Sequence, residues 1–140
     1  MSVIKIIVAT HKNFIMPQDK ELYLPVHVGC EGKKDLGFQG DNTGDNISVL
    51  NPYYCELTGL YCAWKNLDCD YLGLVHYRRY FTKMTKKYNE SINIDDVILN
   101  RYEIEELLEN SSFPKEESII LKLSILITII LSMVSTWMSM

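Results

Sequence analysis

Residues 70–81, Asp70-Tyr71-Leu72-Gly73-Leu74-Val75-His76-Tyr77-Arg78-Arg79-Tyr80-Phe81, set the narrowest limit on how this chain can fold. The run from Tyr71 to Val75 is short and apolar, with β-branched and aromatic members, which is the composition of a strand covered on both faces. An imidazole, two guanidiniums and two phenols follow at once. An apolar strand with such an end fits an open α/β sheet, where ligands bind in the crevice beyond the carboxyl ends of the strands. Two adjacent arginines leaving one strand can converge on one multivalent anion, because each guanidinium is a planar fork that matches phosphate or carboxylate oxygens. A diphosphate is the expected anion, with His76 helping to orient it. The competing reading pairs Arg78 and Arg79 with surface carboxylates, since exposed ion pairs are common and worth little.

The remaining segments supply an α/β frame for that strand. Residues 3–10 are almost continuously apolar and rich in β-branched side chains, so they predict a first strand with helices on both faces. It ends in Thr10, His11 and Lys12, the place where many nucleotide-binding α/β folds hold base and ribose. Residues 22–29 predict a short second strand, with Pro25 arguing for an edge or a bulge and His27 for a packed residue. From residue 29 to 46 the chain turns to Gly, Asp, Asn, Lys and Gln. The dense part is Gly40, Asp41, Asn42, Thr43, Gly44, Asp45 and Asn46, either a plain surface turn or a loop whose glycines allow close approach to a ligand. Its spacing does not match an EF-hand.

Asn51 and Pro52 predict a helix start, with Asn51 as N-cap and Pro52 at the first helical position. Tyr53, Leu57, Leu60, Tyr61 and Trp64 follow helical spacing and predict one core-facing stripe. Glu56 lies in the first turn, where a carboxylate complements the helix dipole. Residues 66–70 form the turn into the central strand. The order strand, loop, helix, strand predicts a mainly parallel sheet. Beyond Phe81, residues 82–93 read as a Lys-rich loop, residues 94–99 as a short apolar piece, and residues 101–110 as a helix with Ile104, Leu107 and Leu108 on one face.

Composition narrows the function classes. The 140 residues carry 14 Lys and Arg against 18 Asp and Glu, a net charge of −4, so there is no basic field for non-specific nucleic-acid binding. The length suits one domain. Cys30, Cys55, Cys62 and Cys69 form no CxxC pair and read as reduced, mostly buried thiols of a cytoplasmic protein. The amino terminus shows no secretion signal.

Several segments together carry a resemblance. Residues 6–12, 24–29, 41–48, 54–58 and 74–81 resemble, in order, a family of bacterial glycosyltransferases of capsular and exopolysaccharide biosynthesis first catalogued as a domain of unknown function. The resemblance covers about residues 3–110. It implies a GT-A-like fold, a mainly parallel sheet flanked by helices and incomplete at the C-terminus. It implies sugar transfer from a nucleotide-diphosphate sugar donor to a glycan or lipid-linked acceptor. Carried over by position, the donor-binding residues are Thr10 and His11, then Asp41, Asn42, Asp45 and Asn46, then His76, Tyr77, Arg78 and Arg79. Many GT-A enzymes hold a divalent metal at a strand-end Asp-x-Asp. Here cationic side chains stand in that place and can stabilise charge on the departing diphosphate, so a metal is not required, while Asp41 and Asp45 leave an alternative metal site open. No catalytic base is assigned. Relative to that family, residues 1–110 read as the donor-binding part of a transferase domain and residues 111–140 as an atypical hydrophobic tail.

That tail departs sharply from what precedes it. All nine tyrosines and all seven glycines lie before it, and residues 119–140 are almost wholly Ile, Leu, Ser, Thr, Met, Val and Trp. A membrane segment is one reading, placing the protein at the inner face of the membrane, although the uncharged run of residues 123–138 falls short of the ~20 residues a spanning helix needs. A buried helix is another. The preferred reading is a frameshift near residues 110–114, giving a truncated transferase with little or no activity; the alternatives are a non-catalytic sugar-nucleotide-binding or anion-binding module and an inactive gene fragment.

Overall fold

A computed structural model describes residues 2–82 and 93–110. Among the described residues the sheet has four parallel strands, β1 (Ile4–Thr10), β2 (Tyr23–His27), β3 (Gln39–Gly40) and β4 (Tyr71–His76), in the order β3-β2-β1-β4. The chain therefore lays down β1, β2 and β3 in one direction, then crosses back to place β4 on the other side of β1. That reversal puts a topological switch between β1 and β4. Open α/β sheets bind ligands at the carboxyl ends of the strands at such a point.

Alternation along β1 builds a core on each face. Ile4, Ile6 and Val8 pack with Tyr23, Val75, Tyr77, Ile94, Ile98 and Ile104 on one side. Ile7 and Ala9 pack with Val26, Val28, Leu74, Leu60 and Ala63 on the other. Among the described residues two α-helices flank the sheet, α2 (Leu57–Asn66) and α3 (Arg101–Asn110), while the four-residue α1 (Asn51–Tyr54) leads into α2. The α2 helix closes the second face through Leu57, Leu60 and Ala63, whereas α3 closes the first through Ile104. At Gly59 helix and sheet touch, since a Cβ there would lie 2.6 Å from Val28 Cγ1. Burying a Leu60-sized side chain contributes about 1.5–3 kcal/mol, so either face alone is a substantial part of a marginal total.

The structure alters several local expectations. Pro25 sits in an interior strand, tolerated because β3 pairs with β2 only at Val26 and His27. The residue 29–46 segment contains the two-residue β3, which its glycine-rich composition conceals. Asn51 does not cap the helix: it is the first residue of α1, with Pro52 following, and the N-cap Leu50 makes no side-chain cap. A break at Cys55, φ 50° and ψ −128°, separates α1 from α2. The break rotates Tyr53 out of the expected stripe, leaving it 82% exposed. All four cysteines are free thiols, with Cys62 buried and Cys55 exposed.

Among the described residues no helix is long and apolar enough to cross a membrane. The expectations for most of the Lys-rich loop, at residues 83–92, and for the whole tail, at residues 111–140, lie outside the described residues.

Candidate functional site

The carboxyl ends of β1 and β4 lie side by side, with Ala9 paired to His76. Each end turns on the last side chain of its strand. Thr10 is fully buried, and its hydroxyl accepts a hydrogen bond from the Lys12 amide (3.2 Å) while donating to the Lys12 carbonyl. At β4, His76 Nδ1 accepts a hydrogen bond from the Arg78 amide at 3.3 Å. The same turn is closed by Arg79 N–H to His76 C=O (2.8 Å) and His76 N–H to Arg79 C=O (3.1 Å). Tyr77 N–H donates to Ala9 C=O at 3.1 Å, which ties the turn after β4 to the end of β1, and the Tyr77 side chain is buried.

Around that ring the polar residues collect. His11 meets Tyr77 edge-on with centroids 5.5 Å apart, His76 lies at 4.3 Å, and Phe14 backs the ring at 5.9 Å. Lys12 Nζ stands 5.5 Å and Arg78 Cζ 5.3 Å from the Tyr77 centroid, both within cation–π range. The start of α2 contributes one carboxylate, Glu56 Oε1, 4.0 Å from His76 Nε2. Burial holds the His76 imidazole below its ordinary pKa; Glu56 opposes that, and Arg78, His11 and Arg79 reinforce it. The balance favours the neutral ring. With Nδ1 accepting from Arg78, the ring proton is assigned to Nε2, on the Glu56 side.

The polar loop behaves differently along its length. Asp41 follows β3 at the same sheet edge, but it is fully buried and its carboxylate is saturated: Oδ2 accepts from Gly29 N–H (2.7 Å) and Thr58 Oγ1 (2.5 Å), Oδ1 from Cys30 N–H (3.2 Å) and Ser48 Oγ (2.5 Å). Burial pushes the Asp41 carboxyl up, yet the bonds from Ser48, Thr58, Gly29 and Cys30 outweigh it and hold the group below the ordinary carboxylate value. Asn42 is exposed and donates to Glu31 Oε2 at 3.0 Å. Asn46 closes the loop on itself, donating to Gly44 C=O and accepting from Ser48 N–H. Asp45 lies at the far end of α2, where Asn66 holds its backbone and Tyr61 Oη (3.1 Å) and Lys65 Nζ (3.9 Å) reach its carboxylate. Asn66 is ten residues beyond Glu56, roughly 15 Å along a helix. Asp45 is thus not brought to the strand-end cluster, and Asp41 has its oxygens committed to the fold.

The structure therefore gathers Thr10, His11, His76, Tyr77, Arg78 and Arg79 at the switch between β1 and β4. It adds Lys12 and Glu56, which sequence reading left out of the site. Lys12 immediately follows the first strand, and Glu56 precedes a helix that starts at the carboxyl edge; those positions were the available signals. Among the described residues no group of three His, Cys, Asp or Glu side chains is arranged to hold a metal ion.

Comparison with known proteins places the fold. Residues 5–125 match the family described as "Domain of unknown function (DUF4422)". The chain belongs to that family. Among solved structures, the DUF4422 chain is similar to the apo structure of the WbbM bifunctional glycosyltransferase, with 40% identity and a TM-score of 0.53. That similarity covers 62% of this chain and 16% of the WbbM chain, so the DUF4422 chain spans about a sixth of the enzyme it matches. No curated protein matches it. The parallel sheet, its flanking helices and this neighbour make the fold an α/β, GT-A-like one.

Proposed function

We propose that this chain binds a nucleotide-diphosphate sugar and serves as the donor-binding part of a glycosyltransferase, passing the sugar to a glycan or lipid-linked acceptor in capsular or exopolysaccharide biosynthesis. One observation carries the reading. On a GT-A-like sheet, the carboxyl ends of β1 and β4 bring His11, His76, Arg78 and Arg79 together at the switch point. During transfer the acceptor's hydroxyl oxygen bonds to the anomeric carbon and gives its proton to solvent, the bond from the sugar to the diphosphate breaks, and the diphosphate leaves with the electron pair. Guanidiniums fixed on a strand end stabilise that growing charge without reorganising, the condition under which electrostatic stabilisation is strongest. Thr10 acts by holding the His11 turn, and Asp41 by holding the loops behind it. The WbbM enzyme's glycosyltransferase activity supports the same reading for this relative.

The test is a panel of nucleotide sugars, each titrated calorimetrically into the purified chain and then incubated with candidate oligosaccharide acceptors under mass-spectrometric detection. Binding of one nucleotide-sugar class, weakened by Arg78→Ala, is the expected result. Binding without transfer would assign the chain to donor holding alone. A wild-type chain that binds no nucleotide sugar would overturn the reading.

A further inference from the structure

We infer that the diphosphate site is a two-cation clamp spanning β1 and β4, in which Lys12 is the second cation and the Tyr77 ring is the platform that holds Lys12 and Arg78 apart and in place. The identity of the anion rests on the function proposed above; the clamp rests on its own geometry.

The two strand ends are built alike. On β1, the last residue, Thr10, binds the amide of the residue two further on, Lys12. On β4, the last residue, His76, binds the amide of the residue two further on, Arg78. Each strand therefore delivers one cation at the same offset from its end, and both cations reach the same ring, at 5.5 and 5.3 Å. Their separation cannot exceed the sum of those two distances. Two tandem phosphoryl groups offer acceptor oxygens to both at once, and charge-assisted bonds from ammonium and guanidinium form at about 2.8 Å.

Counter-charge is missing here and present elsewhere. Lys65 is also stacked on aromatic rings, 4.2 Å from the Trp64 centroid, but its ammonium has the Asp45 carboxylate 3.9 Å away. Arg101 likewise has Asp19 at 3.6 Å. Among the described residues neither Lys12 nor Arg78 has a carboxylate within ion-pair distance. The nearest acid named at the site, Glu56, faces His76. Two exposed cations held over one ring without a carboxylate, in a chain of net charge −4, form a localised anion site. Because Lys12 and Arg78 come from strands on either side of the switch, the clamp also explains why the ligand would sit across the gap.

Inorganic pyrophosphate tests the clamp directly, titrated calorimetrically into the full chain with inorganic phosphate as comparison. The wild type should bind pyrophosphate more tightly than phosphate, with affinity falling as salt rises. Lys12→Met and Arg78→Ala should each weaken pyrophosphate binding by about tenfold or more, while Lys12→Arg retains most of it and Lys20→Ala changes nothing. Lys12 is exposed, so its melting temperature serves as the folding control. Wild-type affinity in Lys12→Met, or no pyrophosphate binding by the wild type, overturns the clamp. If nucleotide sugars bind and Lys12→Met leaves them unaffected, the clamp fails and the transferase reading stands. If pyrophosphate binds as described and no nucleotide sugar does, the clamp stands and that reading fails.

Discussion

Thr58 Oγ1 lies 2.5 Å from Asp41 Oδ2, joining the first turn of α2 to the residue that follows β3. Through the other contacts of the same carboxylate, with Gly29, Cys30 and Ser48, three chain segments behind the site share one buried charge. Replacing Asp41 with Ala leaves four donors facing an empty space, and each unsatisfied donor costs about 1–3 kcal/mol before water or relaxation compensates. Asp41→Ala should therefore lose about 3 kcal/mol or more in urea unfolding. An unchanged midpoint would show that the carboxylate does not organise the loops.

The same network fixes a direction of pH dependence. The folded pKa of Asp41 lies below its unfolded value, so its stabilisation is fully present above the unfolded carboxylate pKa and is lost as pH falls through the folded one. Acidification below about pH 4 should destabilise the wild type more than Asp41→Asn. Parallel stability curves for the two proteins across that range would contradict the assignment.

Gly29 is the backbone counterpart of this arrangement. Its φ is +61°, and a Cβ would fall 2.4 Å from Asn51 Cγ and Oδ1. Asn51 cannot move freely, because its amide bridges the helix break through Cys55 C=O at 2.7 Å and Thr58 Oγ1 at 3.0 Å. Gly29→Ala should cost the ~1–2 kcal/mol of a left-handed residue together with the loss of that bridge. Thermal unfolding measures it, and a neutral substitution would mean that Asn51 has room to shift.

His76 offers a spectroscopic check on the strand-end cluster itself: its folded pKa is depressed, first by burial. The neutral form is favoured by folding, so this contribution is present above pH ~6.5 and is lost as pH falls through the folded pKa. NMR titration should find His76 below the ordinary imidazole value, with Glu56→Gln lowering it further and Arg78→Ala raising it. A wild-type value at or above the ordinary one would remove the basis for a neutral ring beside the two arginines.

What the sequence disclosed, and what it hid, follows from the range of the forces involved. The cores of β1 and β4 are written in contiguous apolar runs, and the polar residues after them mark the carboxyl edge without any knowledge of strand order. The Asn51-Pro52 pair marked a helix start, but the break at Cys55 needs positive φ in a residue other than glycine, which no local pattern announces. Lys12 and Arg78 are 66 positions apart in the chain, and only the placement of β4 beside β1 lets them share Tyr77. The polar loop was the least legible stretch. Its acids and amides fit either a surface turn or a ligand-facing loop, and only the fold shows Asp41 bound by hydroxyls and backbone amides and Asp45 joined to Asn66, 21 residues away.

That separation yields the sharpest contrast available between neighbouring assignments. Arg78 stands on the switch-point ring, while Asp45 is held by Tyr61, Lys65 and Asn66 toward the end of α2 and its exposed ion pair with Lys65 contributes little. For a nucleotide sugar that the wild type binds, Arg78→Ala should weaken affinity by roughly tenfold or more, because a charge-assisted bond to phosphate is lost, whereas Asp45→Asn should leave it within about twofold. Calorimetry on both variants, with melting temperatures as folding controls, makes the comparison. Equal losses in two well-folded variants would mean that the loop carrying Asp45 reaches the bound donor and that the site extends along α2. A loss confined to Arg78 would place recognition at the ends of β1 and β4, where the chain reverses direction across the sheet.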